Sequence, residues 1–512
     1  MTQISLTGAQ VLVVGAGIMG AGIAQIAAQA GHPVLLHDAR EGAASEAKAK
    51  LARSLEALVA KGKLSAEAVA ATLDRIEPIQ QLAQAAGARL VVEAIVEQLD
   101  AKRALFRELE NLLGPDAVLA TNTSSISVTA IANGLARPQQ LVGMHFFNPV
   151  PLMKLVEVIS GLQTAPEVAA AIFELSQAWG KVPVHARSTP GFIVNRIARP
   201  YYAETLALLQ EQAATPAVLD ACLRAAGFRM GPCELMDLIG HDTNFAVTRS
   251  VFEANFGDKR FVPSGMQREL VDGGLLGRKS GRGFYDYAPG ADKVELPAFE
   301  PAGLPAAQAV RVMGQSAVAD RLATTLEQLG RPAERDRTAR WVGLEIDGAQ
   351  LRLSDGRCAT QLAAESGVAD VAVFDLPLAG GTGPTALPLA WAAAAQASTA
   401  WQGAAAQWLR ALGFHALPIA DAPGLVVART IAMLINEAAD AVLQGVCTPE
   451  GADVAMKLGV NYPAGPFEWL AVWDAASVCA LIDALDTHYR GERYRVSPWL
   501  RRQAWVAQED RA

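Results

Sequence analysis

Cysteine is scarce in this chain: five in 512 residues, at Cys222, Cys233, Cys358, Cys447 and Cys479. They are odd in number, scattered and free of any C-x-x-C spacing. That excludes a disulfide framework and a thiolate metal site, so no metal is expected, and it fits reduced thiols in the cytoplasm. A surplus of positive charge is also missing. Lys and Arg number 44 against 52 Asp and Glu, for a net charge of −8, and no long basic stripe offsets it. Nucleic acid is thereby excluded as a partner. Met1 to Gly8 shows no basic-then-apolar leader. Long apolar runs are lacking too. The longest uncharged stretch, between Asp375 and Arg410, is alanine-rich and broken by Pro384, Pro388, Gln396, Gln402 and Gln407. It argues for a packed helix and against a membrane span.

What is present fills three or four domains, with 51% apolar residues for their cores. Gln10-Val11-Leu12-Val13-Val14 reads as a short buried strand. Gly15-Ala16-Gly17-Ile18-Met19-Gly20 follows at once, and Ala21 to Ala30 reads as a helix. In that strand–turn–helix context the glycines have distinct uses. Gly15 makes the tight turn, Gly17 lets the backbone approach a pyrophosphate, and Gly20 lets helix and strand pack closely. The helix N-terminus offers free N–H groups to the anion. A second strand, Pro33 to His37, ends at Asp38, whose carboxylate suits the ribose hydroxyls of NAD and repels a 2′-phosphate. Arg40 is the one nearby residue that leaves NADP open.

Further along, Ala43 to Ile76 carries two alanine-rich helical segments split near Gly62. Lys48, Lys50, Arg53, Lys61 and Lys63 make it the most basic part of the region. Two readings stand: a solvated helix face, or an arm whose lysines meet the phosphates of a long anionic substrate. The strand Ala117 to Ala120 leads into Thr121-Asn122-Thr123-Ser124-Ser125. Capping the helix Val128 to Asn133 uses Ser125 or Ser127 and leaves the rest for a ligand, with Ser124 the candidate donor to a substrate.

Gly143 to Ile159 organises the rest. Two β-favouring arms flank a Pro149-Val150-Pro151 reversal, with His145 and Glu157 at similar distances from it. Folded as a hairpin, the arms face each other and make a general base whose tautomer is fixed by a carboxylate. Phe192 to about Gln212 reads as one long helix with Asn195 in its first turns. A glycine-rich cationic loop from Gly277 to Tyr285 ends that region, as a domain end or as a mobile lid over phosphates. Lys279 favours the lid. Ala288 to about Gln315 looks like a linker, and Trp341 to Leu376 like a small degenerate α/β segment.

An internal repeat joins the two ends of this stretch. Pro190-Gly191 recurs as Pro423-Gly424, Arg196 as Arg429, Glu204 as Glu437, Pro216 as Pro449 and Asp220 as Asp453. Asn195 is matched by Ala428, so the first copy reads as working and the second as structural.

GAGIMGAGIA, VVEAIVE, TNTSSI, HFFNPVPLMKLVEVI, STPGFIVNR and GRKSGRGFY, in that order, resemble the NAD-dependent (S)-3-hydroxyacyl-CoA dehydrogenases. The tandem C-terminal regions resemble the bacterial branch tied to phenylacetate degradation, with 3-hydroxyadipyl-CoA or 3-hydroxybutyryl-CoA as substrates. No enoyl-CoA hydratase unit precedes the glycine motif. The resemblance implies an α/β Rossmann-type N-terminal domain (1–187) and two homologous all-α C-terminal domains (188–287 and 416–500). A degenerate α/β linker (288–415) lies between them. It further implies His145 as base, Glu157 as its partner, and Ser124 and Asn195 on the substrate's oxygens. NAD would lie on Gly15 to Gly20, with Asp38, Glu97, Lys102, Ser124, Asn148 and Lys279 as further contacts, and CoA on Ser54 and Lys61. A homodimer and a pseudo-dimeric monomer are both open. A dehydrogenase of a free hydroxy acid and a non-catalytic NAD-binding protein are the alternative functions.

Overall fold

The computed structural model describes residues 4–292, 294–378 and 386–509; the first three residues of the N-terminal segment and 379–385 of the uncharged stretch lie outside that description. Internal contacts divide the chain into two units, residues 1–196 with 444–460, and residues 197–443 with 461–512.

In the first unit, β1 (Val11–Val14) is buried at every position and sits inside an eight-stranded sheet. Its order is β3-β2-β1-β4-β5-β6-β7-β8, with β2 at Val34–His37, β3 at Ile76–Ile79, β4 at Leu90–Glu93, β5 at Val118–Thr121, β6 at Leu141–Phe146, β7 at Leu155–Ser160 and β8 at Val182–Arg187. All neighbours are parallel except β6 and β7. The helices between the strands include α1 (Ile18–Gln29), α2 (Ala43–Ala60), α3 (Ala66–Asp74), α4 (Leu99–Leu112), α5 (Val128–Ala132) and α6 (Pro166–Ala178). Continuous apolar strands covered by crossover helices are what a doubly wound sheet requires. The strand order reverses between β1 and β4, which puts a crevice beyond their C-terminal ends. The short α7 (Val194–Ile197) begins here, its last residue falling in the second unit, and the helix Pro449–Gly459 of the second repeat packs on β7 and β8.

The second unit is built around a seven-stranded mixed sheet, β10-β9-β11-β12-β13-β14-β15. The strands are β9 (Val310–Met313), β10 (Glu334–Asp336), β11 (Gly343–Ile346), β12 (Ala349–Leu353), β13 (Val371–Phe374), β14 (Leu387–Ala393) and β15 (Phe414–Pro418). Its core gathers Val312, Leu351, Phe374, Trp391, Trp401 and Trp408. The sheet occupies most of the expected linker. The uncharged stretch expected as one packed helix gives β14 and then the helix Thr399–Ala411, which starts where Ser398 Oγ accepts from Trp401 N at 3.1 Å. Short apolar runs do not separate strand from helix by periodicity alone. The helical C-terminal domain is split around this sheet.

The helix expected from Phe192 to Gln212 is broken at Ala198, and α8 (Arg199–Gln210) begins anew. Pro200 has no N–H to give to the carbonyl four residues back, so one continuous helix cannot form there. The two helical repeats match down to their backbone. Gly191 and Gly424 have φ of 77° and 74°, and the next residues, Phe192 and Leu425, also sit at positive φ, 47° and 50°.

The repeats also exchange partners. The helix Pro449–Gly459 of the second packs on β7 and β8, whereas α9 (Pro216–Ala225) of the first packs on β14. Two repeat-related hydrogen bonds fix this: Arg187 N to Val446 O at 2.9 Å, and Ala420 N to Ala213 O at 2.8 Å. Within the second unit, α8 lies against the helix Val427–Leu443. Glu204 of the first repeat accepts Arg429 Nε of the second at 2.6 Å, and Glu437 of the second meets Arg260 of the first at 3.3 Å.

Candidate active site

The glycine turn has the geometry its sequence demands. Gly15 has φ of +105°, and a Cβ there would lie 2.4 Å from Ala94 O at the end of β4. A Cβ on Gly20 would lie 1.7 Å from Gly15 O, so helix and turn close only without it. Gly17 faces open space and caps α1 with no side-chain acceptor, leaving the helix N–H groups for an anion. Ile18 beside it is 79% exposed, and Met19 is half-buried. Asp38, just past β2, accepts Ala16 N at 2.7 Å and Arg40 N at 2.9 Å, which ties the end of β2 to the turn. The Arg40 guanidinium, the group that left NADP open, is paired with Glu46 of α2 at 3.2 and 2.7 Å on the surface. These features fit NAD on the chain's own residues: a cleared pyrophosphate path, uncapped N–H groups and a ribose carboxylate.

The hairpin forms as the pattern predicts. β6 and β7 are antiparallel, and His145 stands directly opposite Glu157. His145 Nδ1 and Glu157 Oε2 are 2.5 Å apart, with His145 6% and Glu157 0% exposed. A carboxylate on Nδ1 makes that nitrogen the N–H donor and leaves Nε2 as the acceptor. Phe147 and Phe192 flank the imidazole, with ring centroids at 4.6 and 5.9 Å. The other carboxylate oxygen, Glu157 Oε1, accepts Ile193 N and Val194 N, both at 3.0 Å. One carboxylate therefore orients the histidine and also fixes the start of α7, whose second residue is Asn195.

The hydroxyl-rich turn after β5 is gathered on Glu97. Its Oε1 accepts Thr123 Oγ1 at 2.6 Å, Ser124 N at 2.9 Å, Ser125 N at 3.1 Å, Ser125 Oγ at 3.1 Å and Ser124 Oγ at 3.4 Å. Burial pushes this carboxyl up, but Lys102 and the donors on Thr123 and Ser124 outweigh it and hold it below its ordinary value. Ser127 is the residue that caps α5, accepting Ala130 N at 3.2 Å. Lys102 is buried, with Nζ on Glu93 Oε1 at 2.6 Å and Glu97 Oε2 at 3.2 Å. Asn122 Oδ1 accepts Phe146 N at 2.8 Å and so binds this turn to the strand of His145. Asn122 and Glu93 are missed by the sequence reading. The five polar residues of the turn point to Asn122, whereas Glu93 looks like any strand-end carboxylate.

The remaining residues fall as follows. Asn148 is exposed in the hairpin turn, before the cis peptide to Pro149. Ser54 is exposed on α2 and bonds Lys50 O at 3.0 Å, and Lys61 is exposed at the C-cap of that helix. Of the basic arm, Lys48 turns inward to Ile76 O at 2.6 Å and is unavailable to phosphates. Lys279 lies in the second unit, paired with Asp242. Its loop is anchored: Asp237 accepts Phe284 N at 2.9 Å and Tyr285 N at 3.0 Å, and a Cβ on Gly283 would lie 2.0 Å from Asp237 Oδ1. Its glycines thus permit close packing against a buried carboxylate, where the sequence suggested a loose lid. Among the described residues, no group of His, Cys, Asp and Glu could hold a metal ion, and no helix is long and apolar enough to cross a membrane.

A doubly wound sheet with an uncapped glycine turn, a ribose carboxylate and a carboxylate-held histidine defines an NAD-dependent dehydrogenase. The family models make the class specific. Residues 10–189 match the NAD-binding domain of 3-hydroxyacyl-CoA dehydrogenase, and residues 191–287 and 424–507 match its C-terminal domain. Residues 351–423 match the reduced Rossmann-fold domain of 3-hydroxybutyryl-CoA dehydrogenase. The chain is 45% identical over 495 residues to the 3-hydroxyadipyl-CoA dehydrogenase of Escherichia coli K12, covering 96% of this chain and 97% of that one. It is 40% identical over 276 residues to a 3-hydroxybutyryl-CoA dehydrogenase of Clostridioides difficile, 54% of this chain and 98% of the other. A crystal structure of 3-hydroxybutyryl-CoA dehydrogenase from Escherichia coli K12 superposes with a TM-score of 0.86 at 42% identity, covering all of both chains. The chain belongs to the 3-hydroxyacyl-CoA dehydrogenase family and is an NAD-dependent oxidoreductase of that kind.

Proposed function

We propose that the substrate is a short-chain or dicarboxylic (3S)-3-hydroxyacyl-CoA, with 3-hydroxyadipyl-CoA and 3-hydroxybutyryl-CoA the thioesters to test first, and that the reaction runs in the cytoplasm. The acyl groups are those of the relatives named above; the observation that carries the oxidation itself is the His145–Glu157 pair, whose carboxylate also holds the α7 start beside Asn195. Ser124 and Asn195 bind the oxygen on C3. NAD, held on Gly15 to Gly20 and Asp38, supplies the hydride acceptor. His145 Nε2 takes the hydroxyl proton as the C3–H bond breaks and the C3–O bond becomes a carbonyl. Glu157 stabilises the imidazolium that results, without itself taking the proton. The exposed cations of α2 and its C-cap, Lys61 among them, together with Ser54, receive the CoA phosphates.

A panel of 3-hydroxyacyl-CoA thioesters, including the adipyl and butyryl forms, run beside the free hydroxy acids tests this. Turnover of thioesters at far higher kcat/KM than the acids is expected, and a preference for a free acid contradicts the reading. The pairing of α8 with Val427–Leu443 inside one chain supports a pseudo-dimeric monomer as the assembly.

A further inference from the structure

Behind the Ser124 turn lies a buried ion pair whose lysine, Lys102, the resemblance makes an NAD contact, although its ammonium is taken up by Glu93 and Glu97. Glu93 ends β4 and faces Thr121, at the end of β5, across the sheet. Glu93 and Thr121 are 0% exposed and Lys102 is 1% exposed. Glu93 Oε2 accepts Thr121 Oγ1 at 2.7 Å, and Oε1 accepts Ile95 N at 2.8 Å and Lys102 Nζ at 2.6 Å. The ammonium then reaches Glu97 Oε2 at 3.2 Å, and the other oxygen of Glu97 takes the donors of Thr123, Ser124 and Ser125. A lysine this deep costs more in lost solvation than one exposed pairing returns, and it persists only with partners on both sides. The side facing the core is satisfied by Glu93. The side facing the crevice is satisfied by Glu97.

We infer that Glu93 and Lys102 are positioning residues for the dehydrogenase: their ion pair holds Glu97 as the common acceptor that sets the Ser124 turn for the substrate's C3 oxygen. This rests on the reading of Ser124 as a substrate-binding residue. Glu97 has one carboxylate for five donors of the turn, so its place decides theirs. Without Lys102, the charge of Glu97 is drawn toward solvent, where part of its side chain already lies, and the turn loses its common acceptor. Thr121 completes the arrangement from the far side of Glu93 and also accepts Thr123 N at 3.3 Å.

The test is a double-mutant cycle on kcat/KM for the hydroxyacyl-CoA thioester. Its single variants are Ser124→Ala, Glu93→Gln and the milder Thr121→Val; Glu93→Gln/Lys102→Met removes both charges of the buried pair, so that no buried charge is stranded, and leaves Glu97, which is partly exposed, without its ammonium. NADH fluorescence serves as a check that each variant still folds and binds. A loss of about 10- to 100-fold is expected for Glu93→Gln, Glu93→Gln/Lys102→Met and Ser124→Ala, and a smaller loss for Thr121→Val. In the Ser124→Ala background the further loss from Glu93→Gln should shrink to about twofold or less, because the geometry it protects is already spent. A full additive loss in that background would show that the pair supports folding generally and would overturn the inference. So would a normal kcat/KM in Glu93→Gln/Lys102→Met. A Ser124→Ala enzyme with unchanged kcat/KM would overturn the Ser124 reading instead, and the inference with it.

Discussion

Glu157 carries two jobs on two oxygens, and the chemistry follows from that division. Oε2 fixes the tautomer of His145, while Oε1 holds Ile193 N and Val194 N. Glu157→Gln keeps the shape but puts an amide where the imidazolium needs a negative charge. We expect kcat to fall about 10²- to 10⁴-fold with a smaller change in thioester KM, read in steady-state assays. Glu97 gives a pH-dependent signature of its own. Its carboxyl is held below its ordinary value in the folded chain. Its contribution to stability is therefore fully present above the unfolded value and is lost as pH falls through the lower, folded one. The gap in Tm between the wild type and Glu97→Gln should be widest near neutrality and should close below about pH 4.3. A gap independent of pH would contradict the ionised role. At this scale much was readable in advance, since the spacing of His145 and Glu157 about Pro149 to Pro151 predicts a register that the hairpin has. Glu93 was not, because burial and the ion pair with Lys102 come from packing that no local pattern displays.

Among the elements, the two helical repeats show what a helix start needs when it is buried. The first has Glu157 under Ile193 and Val194. In the second, Asp375 accepts Val426 N at 2.9 Å, Val427 N at 2.7 Å and Ala428 N at 2.9 Å. Asp375 follows β13 and is wholly buried, so the second sheet gives its helix the same support without a histidine opposite. Asp375→Ala should destabilise the chain by about 1–3 kcal/mol in denaturant unfolding, because the helix N–H groups are left without an acceptor. The kcat of the folded fraction should not change. The repeat itself is legible from Arg196, Glu204 and Pro216 and their counterparts. The break at Ala198 could be argued from Pro200. The strand β14 could not be separated from a helix, because alanine favours a helix and seven apolar residues are too few for periodicity to say otherwise.

Taken as a whole, the chain is an NAD-binding domain and a helical C-terminal domain split around a reduced Rossmann-fold domain, and each sheet packs a helix of the other sheet's repeat. That exchange is invisible in sequence, since it depends on which sheet each repeat meets. The helix Pro449–Gly459 packs on β7, the strand of Glu157, and a Cβ on Gly459 would lie 2.8 Å from Leu155. With both repeats paired in one chain, light scattering should give a mass near 53.9 kDa; twice that mass would contradict the monomer. Among the described residues, the second sheet shows no turn like Gly15 to Gly20. After β9, Ser316 Oγ already takes Ala319 N at 3.1 Å, where Gly17 leaves the start of α1 uncapped. Equilibrium titration should give one NADH per chain, and two would contradict a single site.

The most direct measurement of the central claim is NADH formation by His145→Gln at saturating 3-hydroxyacyl-CoA, with NADH binding followed on the same preparation. With the base removed and the fold intact, turnover should drop by at least about 10²-fold while the affinity for NADH stays within about twofold of the wild type. An enzyme that binds NADH normally and still turns over near the wild-type rate would show that His145 is not the proton acceptor.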